Sequence, residues 1–194
     1  MTDGKREGAT TEAQAKKLVA CVGNMLLLDE GFGPYMARVL TEPQIAAEYF
    51  DQEHVQQLMG MFRLDQTDAP DDGRIPVLDA GTIGMGLLPW IRTYDRIVVV
   101  DIIDTKSPSI PAGSVMVLTP EEMAESAVMH SLHDLKLIDV INSCALAGYT
   151  ADISCVCVQA QNYDPEDFVI GLTEPVKAAI PIVMDALMEE LALK

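Results

Sequence analysis

Short runs that are apolar on both faces alternate with stretches of helical spacing along most of the chain. Leu18-Val19-Ala20-Cys21-Val22, within Lys17 to Gly23, predicts a buried strand. Gly33 to Phe50 has helical spacing, with Pro34 in the first turn and a break expected near Pro43. Glu53 to Arg63 repeats the helical period at Val55, Leu58, Met59, Met61 and Phe62, and Asp65 to Gly73 is an Asp-rich loop containing Pro70. Ile75 to Leu78 predicts a short strand that ends in Asp79-Ala80-Gly81-Thr82, followed by a short helix over Met85 to Arg92. Arg96 to Ile103 holds Ile-Val-Val-Val, the pattern of a central strand covered on both faces. A further strand is expected over Ser114 to Leu118, a helix from Pro120 to about Val128, an amphipathic helix from His133 to Ala147 and a last strand over Ala151 to Gln159. Thr173 to Leu193 predicts a long C-terminal helix capped by Thr173 and kinked by Pro181.

Strands alternating with helices imply a fold of the α/β class: a single three-layer α/β/α domain with a mostly parallel central sheet. That domain is expected over residues 15–194, preceded by a polar, patternless and flexible tail over 1–14. Composition agrees with one core. Of 194 residues, 49% are hydrophobic but only 5% aromatic, so Val, Ile, Leu, Met and Ala must fill it.

Charge narrows the function. A net charge of −17 repels phosphate backbones and anionic lipid, which excludes nucleic acid as a partner. No apolar run is long enough to cross a bilayer, and the opening Met-Thr-Asp-Gly-Lys-Arg-Glu-Gly has no apolar stretch, so no membrane insertion and a cytoplasmic location are expected. The four cysteines, Cys21, Cys144, Cys155 and Cys157, form no Cys-x-x-Cys and are read as core thiols. The pattern carries no signal for oligomeric state.

Candidate chemistry gathers at strand ends. Gly23-Asn24-Met25-Leu26-Leu27-Leu28-Asp29-Glu30-Gly31-Phe32-Gly33 places two adjacent carboxylates where the first strand hands over to a helix, the usual ligand edge of an open α/β sheet. Asp79 ends the second strand. His133, in Met129-His130-Ser131-Leu132-His133-Asp134, opens a helix, and Asp134 is placed to orient its ring in preference to that of His130. Two carboxylates and an imidazole would suit zinc or nickel with open positions. Asp101, after Val-Val-Val, points to the same edge. Each residue also has a plainer reading: Glu30 in a solvated turn, Asp79 as a turn or cap residue, His133 as a neighbour of an N-cap, Asp101 as a solvated strand end. There is no Gly-x-Ser-x-Gly, no His-Glu-x-x-His, no phosphate loop and no Gly-x-Gly-x-x-Gly.

In order along the chain, five segments resemble the nickel–iron hydrogenase maturation endopeptidases. They are Gly23-Asn24 to Gly33, Leu78-Asp79-Ala80-Gly81-Thr82-Ile83-Gly84-Met85, Val98-Val99-Val100-Asp101, Ser131-Leu132-His133-Asp134 and Gly171-Leu172-Thr173-Glu174-Pro175-Val176. The resemblance implies an endopeptidase that removes the C-terminal extension of a nickel–iron hydrogenase large-subunit precursor once nickel is inserted. It carries the family's metal-contacting and catalytic positions onto Glu30, Asp79 and His133. The nickel would arrive with the substrate, and zinc or cadmium would substitute in the isolated protein. Cys21 departs from the family pattern, standing where most members have the first glycine of Gly-x-Gly-Asn; the segment from Thr41 to Arg74 is long and the polar tail is extra. Two other readings remain: a nickel-sensing maturation scaffold of the same fold that cleaves nothing, and an unrelated α/β metallohydrolase.

Overall fold

The computed structural model describes residues 15–65, 71–82, 88–126, 139 and 141–192. The expected tail over 1–14, and the segment that contains His130 and His133, lie outside the described residues.

Six strands form one sheet: β1 (Lys17–Val22), β2 (Phe62–Leu64), β3 (Ile75–Gly81), β4 (Arg96–Ile103), β5 (Val115–Leu118) and β6 (Asp152–Gln159). Their spatial order is β2-β3-β1-β4-β6-β5. All neighbours are parallel except β5, which runs antiparallel along β6 at one edge. The chain leaves β1 toward one edge of the sheet and β4 toward the other, so a crevice opens at the carboxyl ends of these two neighbours.

Both faces are covered, which gives the expected three layers. Val19, Cys21, Val77, Val98, Val100 and Val156 face one core with the helices Phe32–Thr41, Gln52–Met61 and Ile180–Ala192. Leu18, Ala20, Ile97, Val99, Cys155 and Cys157 face the other with Trp90, Ile91, Met123 and Cys144. Every residue of β4 is buried, as its unbroken apolar run requires. Each fully buried Val, Leu or Ile contributes about 1.5–3 kcal/mol.

The first helix lies against β1 because Gly33 lets it. A Cβ on Gly33 would come within 1.9 Å of the Val22 carbonyl oxygen, and one on Gly23, at φ +144°, within 2.0 Å of the Glu30 carbonyl oxygen. Neither obstacle is a flexible side chain. Gly33→Ala is therefore expected to cost about 3 kcal/mol, the upper range for overpacking, measured as a lower urea midpoint with an unchanged slope.

Three expectations are corrected. β2 occupies Phe62–Leu64, where helical spacing suggested that the preceding helix continued; that helix ends at Met61. β3 runs on through Gly81, so Asp79 lies inside a strand rather than at its end. The C-terminal helix is interrupted rather than kinked: Glu174–Ala178 and Ile180–Ala192 are separated at Ala179, two residues before Pro181. Proline cannot donate to the carbonyl of Lys177, so the hydrogen-bond ladder is broken across Ala179.

At the amino edge of the sheet, two cations cap the last carbonyls of the C-terminal helix. Lys17 Nζ donates to Leu191 O at 2.5 Å, and the buried Arg96 guanidinium donates to Glu190 O at 3.3 Å, to the Glu190 carboxylate and to Ser154 Oγ at 2.7 Å. This edge holds the fold together and leaves the carboxyl edge for chemistry.

Candidate functional site

Glu30 is delivered by a tight turn. Gly23 follows β1 directly, and its N–H donates to Gly81 O at 2.9 Å, tying the carboxyl end of β1 to that of β3. Asn24 then folds the chain back: its Oδ1 accepts from Leu26 N–H at 3.1 Å, its carbonyl from Leu27 N–H at 3.1 Å, and its own N–H donates to Glu30 O at 2.9 Å. Leu28 takes φ 51°, and a 3-10 turn over Leu28–Gly31 carries Glu30, only 6% exposed.

The two adjacent carboxylates have different work. Asp29 is fully buried and accepts four hydrogen bonds: Gln161 N–H at 3.0 Å, Asn162 N–H at 2.9 Å, Thr173 N–H at 2.7 Å and Thr173 Oγ1–H at 2.9 Å. It clamps the two ends of the segment that joins β6 to the helix Glu174–Ala178. Nothing local in the sequence marks Asp29 for this, because its partners are 132–144 residues away.

Asp79 is exposed on β3, in register with Cys21 of β1, and its Oδ1 accepts Gly81 N–H at 3.3 Å. It lines a cleft of about 700 Å³ whose walls include Arg38 and Thr41 of the first helix, Met59, Phe62 and Leu64. No local pattern marks this cleft, since one wall is the unanticipated β2. Glu30, in the turn after β1, and Asp79, near the end of β3, thus belong to neighbouring parallel strands on the carboxyl side of the sheet.

Asp101 is buried, at 4% exposure, rather than a solvated strand end, and its Oδ1 accepts Ile102 N–H at 2.7 Å. Burial pushes the Cys21 thiol far above its ordinary value, and the charges of Asp79 and then Asp101 push it further. Cys21 is therefore a protonated thiol packed in the core. All four cysteines are buried and form no disulfide with one another, as expected of core thiols.

His133 and His130 lie outside the described residues, so the structure places two of the three predicted site residues. Among the described residues no three His, Cys, Asp or Glu side chains gather as a metal site, and no helix is long and apolar enough to cross a membrane. The described histidine, His54, is exposed and contacts Asp51 at the start of the helix Gln52–Met61.

Beyond β4, the Asp104–Lys106–Tyr163 group fixes the segment that Asp29 clamps. The Lys106 ammonium donates to Asp104 and, at 2.9 Å, to Tyr163 Oη, and Gln159 Nε2 donates to Asp104 Oδ1 at 3.2 Å. Partial burial alone would raise the Asp104 carboxyl; bonds from Lys106, Gln159 and Tyr163 outweigh it and hold the group at about 2. A depressed folded-state value means stability that is present above the ordinary value near 3.8 and is lost as pH falls toward 2. Asp104→Asn is expected to flatten the acid limb of the stability curve between these values, read by urea midpoints across that range.

Comparisons with known proteins bear on the family and the fold. The hydrogenase maturation protease family model matches residues 54–190, a range that contains Asp79 and His133 and begins after Glu30. The hydrogenase 2 maturation protease of Escherichia coli K12 is 28% identical over 176 residues, 90% of this chain and 89% of its own. The structure of the hydrogenase maturating endopeptidase HybD from E. coli superposes with a TM-score of 0.65 at 26% identity, covering 91% of each chain. The [NiFe] hydrogenase maturation protease HybD from Thermococcus kodakarensis gives 0.59 at 25% identity, covering 91% of this chain and 99% of its own.

Proposed function

The chain belongs to the hydrogenase maturation protease family, and from that premise we propose that it removes the C-terminal extension of a nickel–iron hydrogenase large-subunit precursor after nickel insertion. The chain is a hydrolase, an endopeptidase, as its family and its relatives are. What supports the finer reading is one geometric fact: Glu30 and Asp79 stand at the carboxyl ends of the neighbouring parallel strands β1 and β3, joined by the Gly23-to-Gly81 hydrogen bond.

Glu30, Asp79 and His133 are assigned the role of recognising nickel that the precursor brings. Three oxygen and nitrogen donors leave the other positions around the ion to the substrate. The thiolates are left to the substrate, since Cys21 packs in the apolar core between β1 and the first helix. Zinc or cadmium is expected to occupy the same donors in the isolated protein. Two chemical roles fit the set. The substrate's nickel can polarise the scissile carbonyl or a water. Alternatively, one carboxylate takes the proton from the attacking water while nickel only aligns the bond.

The test is direct. Purified protein is mixed with nickel-loaded precursor and, in parallel, with nickel-free precursor, and both are weighed by mass spectrometry. A shortened product from the loaded precursor alone is expected. An unchanged mass in both would overturn the processing assignment, and equal trimming of both would overturn nickel recognition. The scaffold reading predicts binding without a mass change in either sample.

A further inference from the structure

The segment between β6 and the helix Glu174–Ala178 carries a surface that the chemistry at Glu30 and Asp79 does not use. Its middle pairs with the turn that delivers Glu30. Leu27 and Val169 form a parallel bridge, in which Leu28 N–H donates to Val169 O at 2.8 Å and Val169 N–H to Leu26 O at 2.9 Å. On either side of that bridge, Phe168 is 78% and Ile170 73% exposed, and Met25, Leu26 and Val169 are exposed as well. Five exposed apolar side chains therefore sit on two segments that are hydrogen-bonded to each other. Isolated exposed apolar residues are ordinary; a group of this size beside a candidate active site marks an interaction surface.

The segment is held in shape. Asp29 binds its two ends through Gln161, Asn162 and Thr173, Lys106 holds Tyr163, and the bridge fixes its middle. A surface fixed before binding loses little conformational freedom on binding. Its border is acidic: Asp164, Glu166 and Asp167 are all exposed and directly precede Phe168.

We infer that Met25, Leu26, Phe168, Val169 and Ile170 form the docking surface for the body of the precursor protein, seating an apolar patch of that protein that is rimmed by basic side chains. The inference rests on the processing reading, because its occupant is that reading's substrate. Two observations select this occupant. Glu30 is 6% exposed, on the same turn as Met25 and Leu26, so a protein chain that reaches it must lie against that turn. The acidic border, on a chain of net charge −17, attracts a basic rim and repels an acidic one, including that of a second copy of this chain.

The test measures binding of nickel-loaded precursor to the Glu30→Gln protein, which keeps the shape of the site. Phe168→Ser combined with Ile170→Ser is expected to raise Kd about 30-fold or more, as loss of two central anchors does, with unchanged circular dichroism. Glu166→Gln with Asp167→Asn is expected to slow association and to flatten its decline with added salt. Ile182→Ser, an exposed apolar residue on the C-terminal helix, should bind as the parent does. An unchanged Kd in the Phe168/Ile170 double variant would overturn the inference. So would sedimentation showing that the chain self-associates and that the same double variant dissolves the dimer. The two readings fail separately. Precursor that binds through this surface but is never trimmed by the unmodified chain condemns the processing reading alone. Trimming with a KM that the double variant leaves unchanged condemns the docking surface alone.

Discussion

Glu30→Gln is expected to leave a folded protein whose trimming of nickel-loaded precursor falls about 10³-fold, within the range for losing a general base. The exchange keeps the volume and the hydrogen-bonding reach of the side chain while removing its charge and basicity. Glu30 lies in a short turn after β1, and the backbone bonds that shape the turn, from Asn24 N–H to Glu30 O and from Glu30 N–H to Leu27 O, do not involve the side chain. Asp79→Asn is expected to act in the same direction; Asp79 is exposed and carries no packing. His133→Ala should match Glu30→Gln, because losing any one contact to the substrate's nickel misaligns the scissile bond. His130→Ala should be much milder, since the histidine motif of the resemblance falls on His133. Circular dichroism and thermal melts establish folding, and mass spectrometry reads trimming. Full activity in Glu30→Gln or in His133→Ala would remove that residue from the site.

What the chain disclosed about itself follows from where its signals are local. β1 and β4 were legible because each is apolar on both faces, a demand that only a central strand makes. β2 was hidden because Phe62-Arg63-Leu64 continues the period of the helix before it. Those residues extend only because Phe62 pairs with Ile75 and Leu64 with Val77, partners that local spacing does not reveal. β3 overran its predicted end for a similar reason. Asp79-Ala80-Gly81 has the composition of a turn, yet β1 pairs with Asp79 through Cys21 and with Gly81 through Val22. The candidate carboxylates were legible because ligand sites in such sheets gather at strand ends, whatever the loops do. The cleft beside Asp79 was not, since it depends on β2. The division of labour between Asp29 and Glu30 was not either: two neighbouring carboxylates look alike until their partners are known.

Asp29→Asn is expected to destabilise the protein by about 3 kcal/mol and to loosen the segment from Gln161 to Thr173 before the rest of the fold. The Asp29 carboxylate is fully buried, and all four groups around it are donors. Hydrogen bonds to a charged acceptor contribute about 1.5–3 kcal/mol each. An asparagine retains one oxygen. With that oxygen kept on Gln161 N–H, Asn162 N–H and Thr173 Oγ1, the new amide group faces Thr173 N–H, donor against donor. The part-buried Thr173 N–H is then left without this acceptor, which costs about 1–3 kcal/mol, and the bonds that remain lose their charge assistance. Urea denaturation should read the global loss. Hydrogen exchange should show Gln161, Asn162 and Thr173 opening at far lower free energy than the amides of β4, which Asp29 does not touch. The same substitution should weaken precursor binding, because Phe168 and Ile170 lie between the two ends that Asp29 holds. A stability within about 0.5 kcal/mol of the parent would show that the clamp is dispensable. Uniform protection loss across β4 and the clamped segment would show that Asp29 supports the whole fold and not this segment in particular.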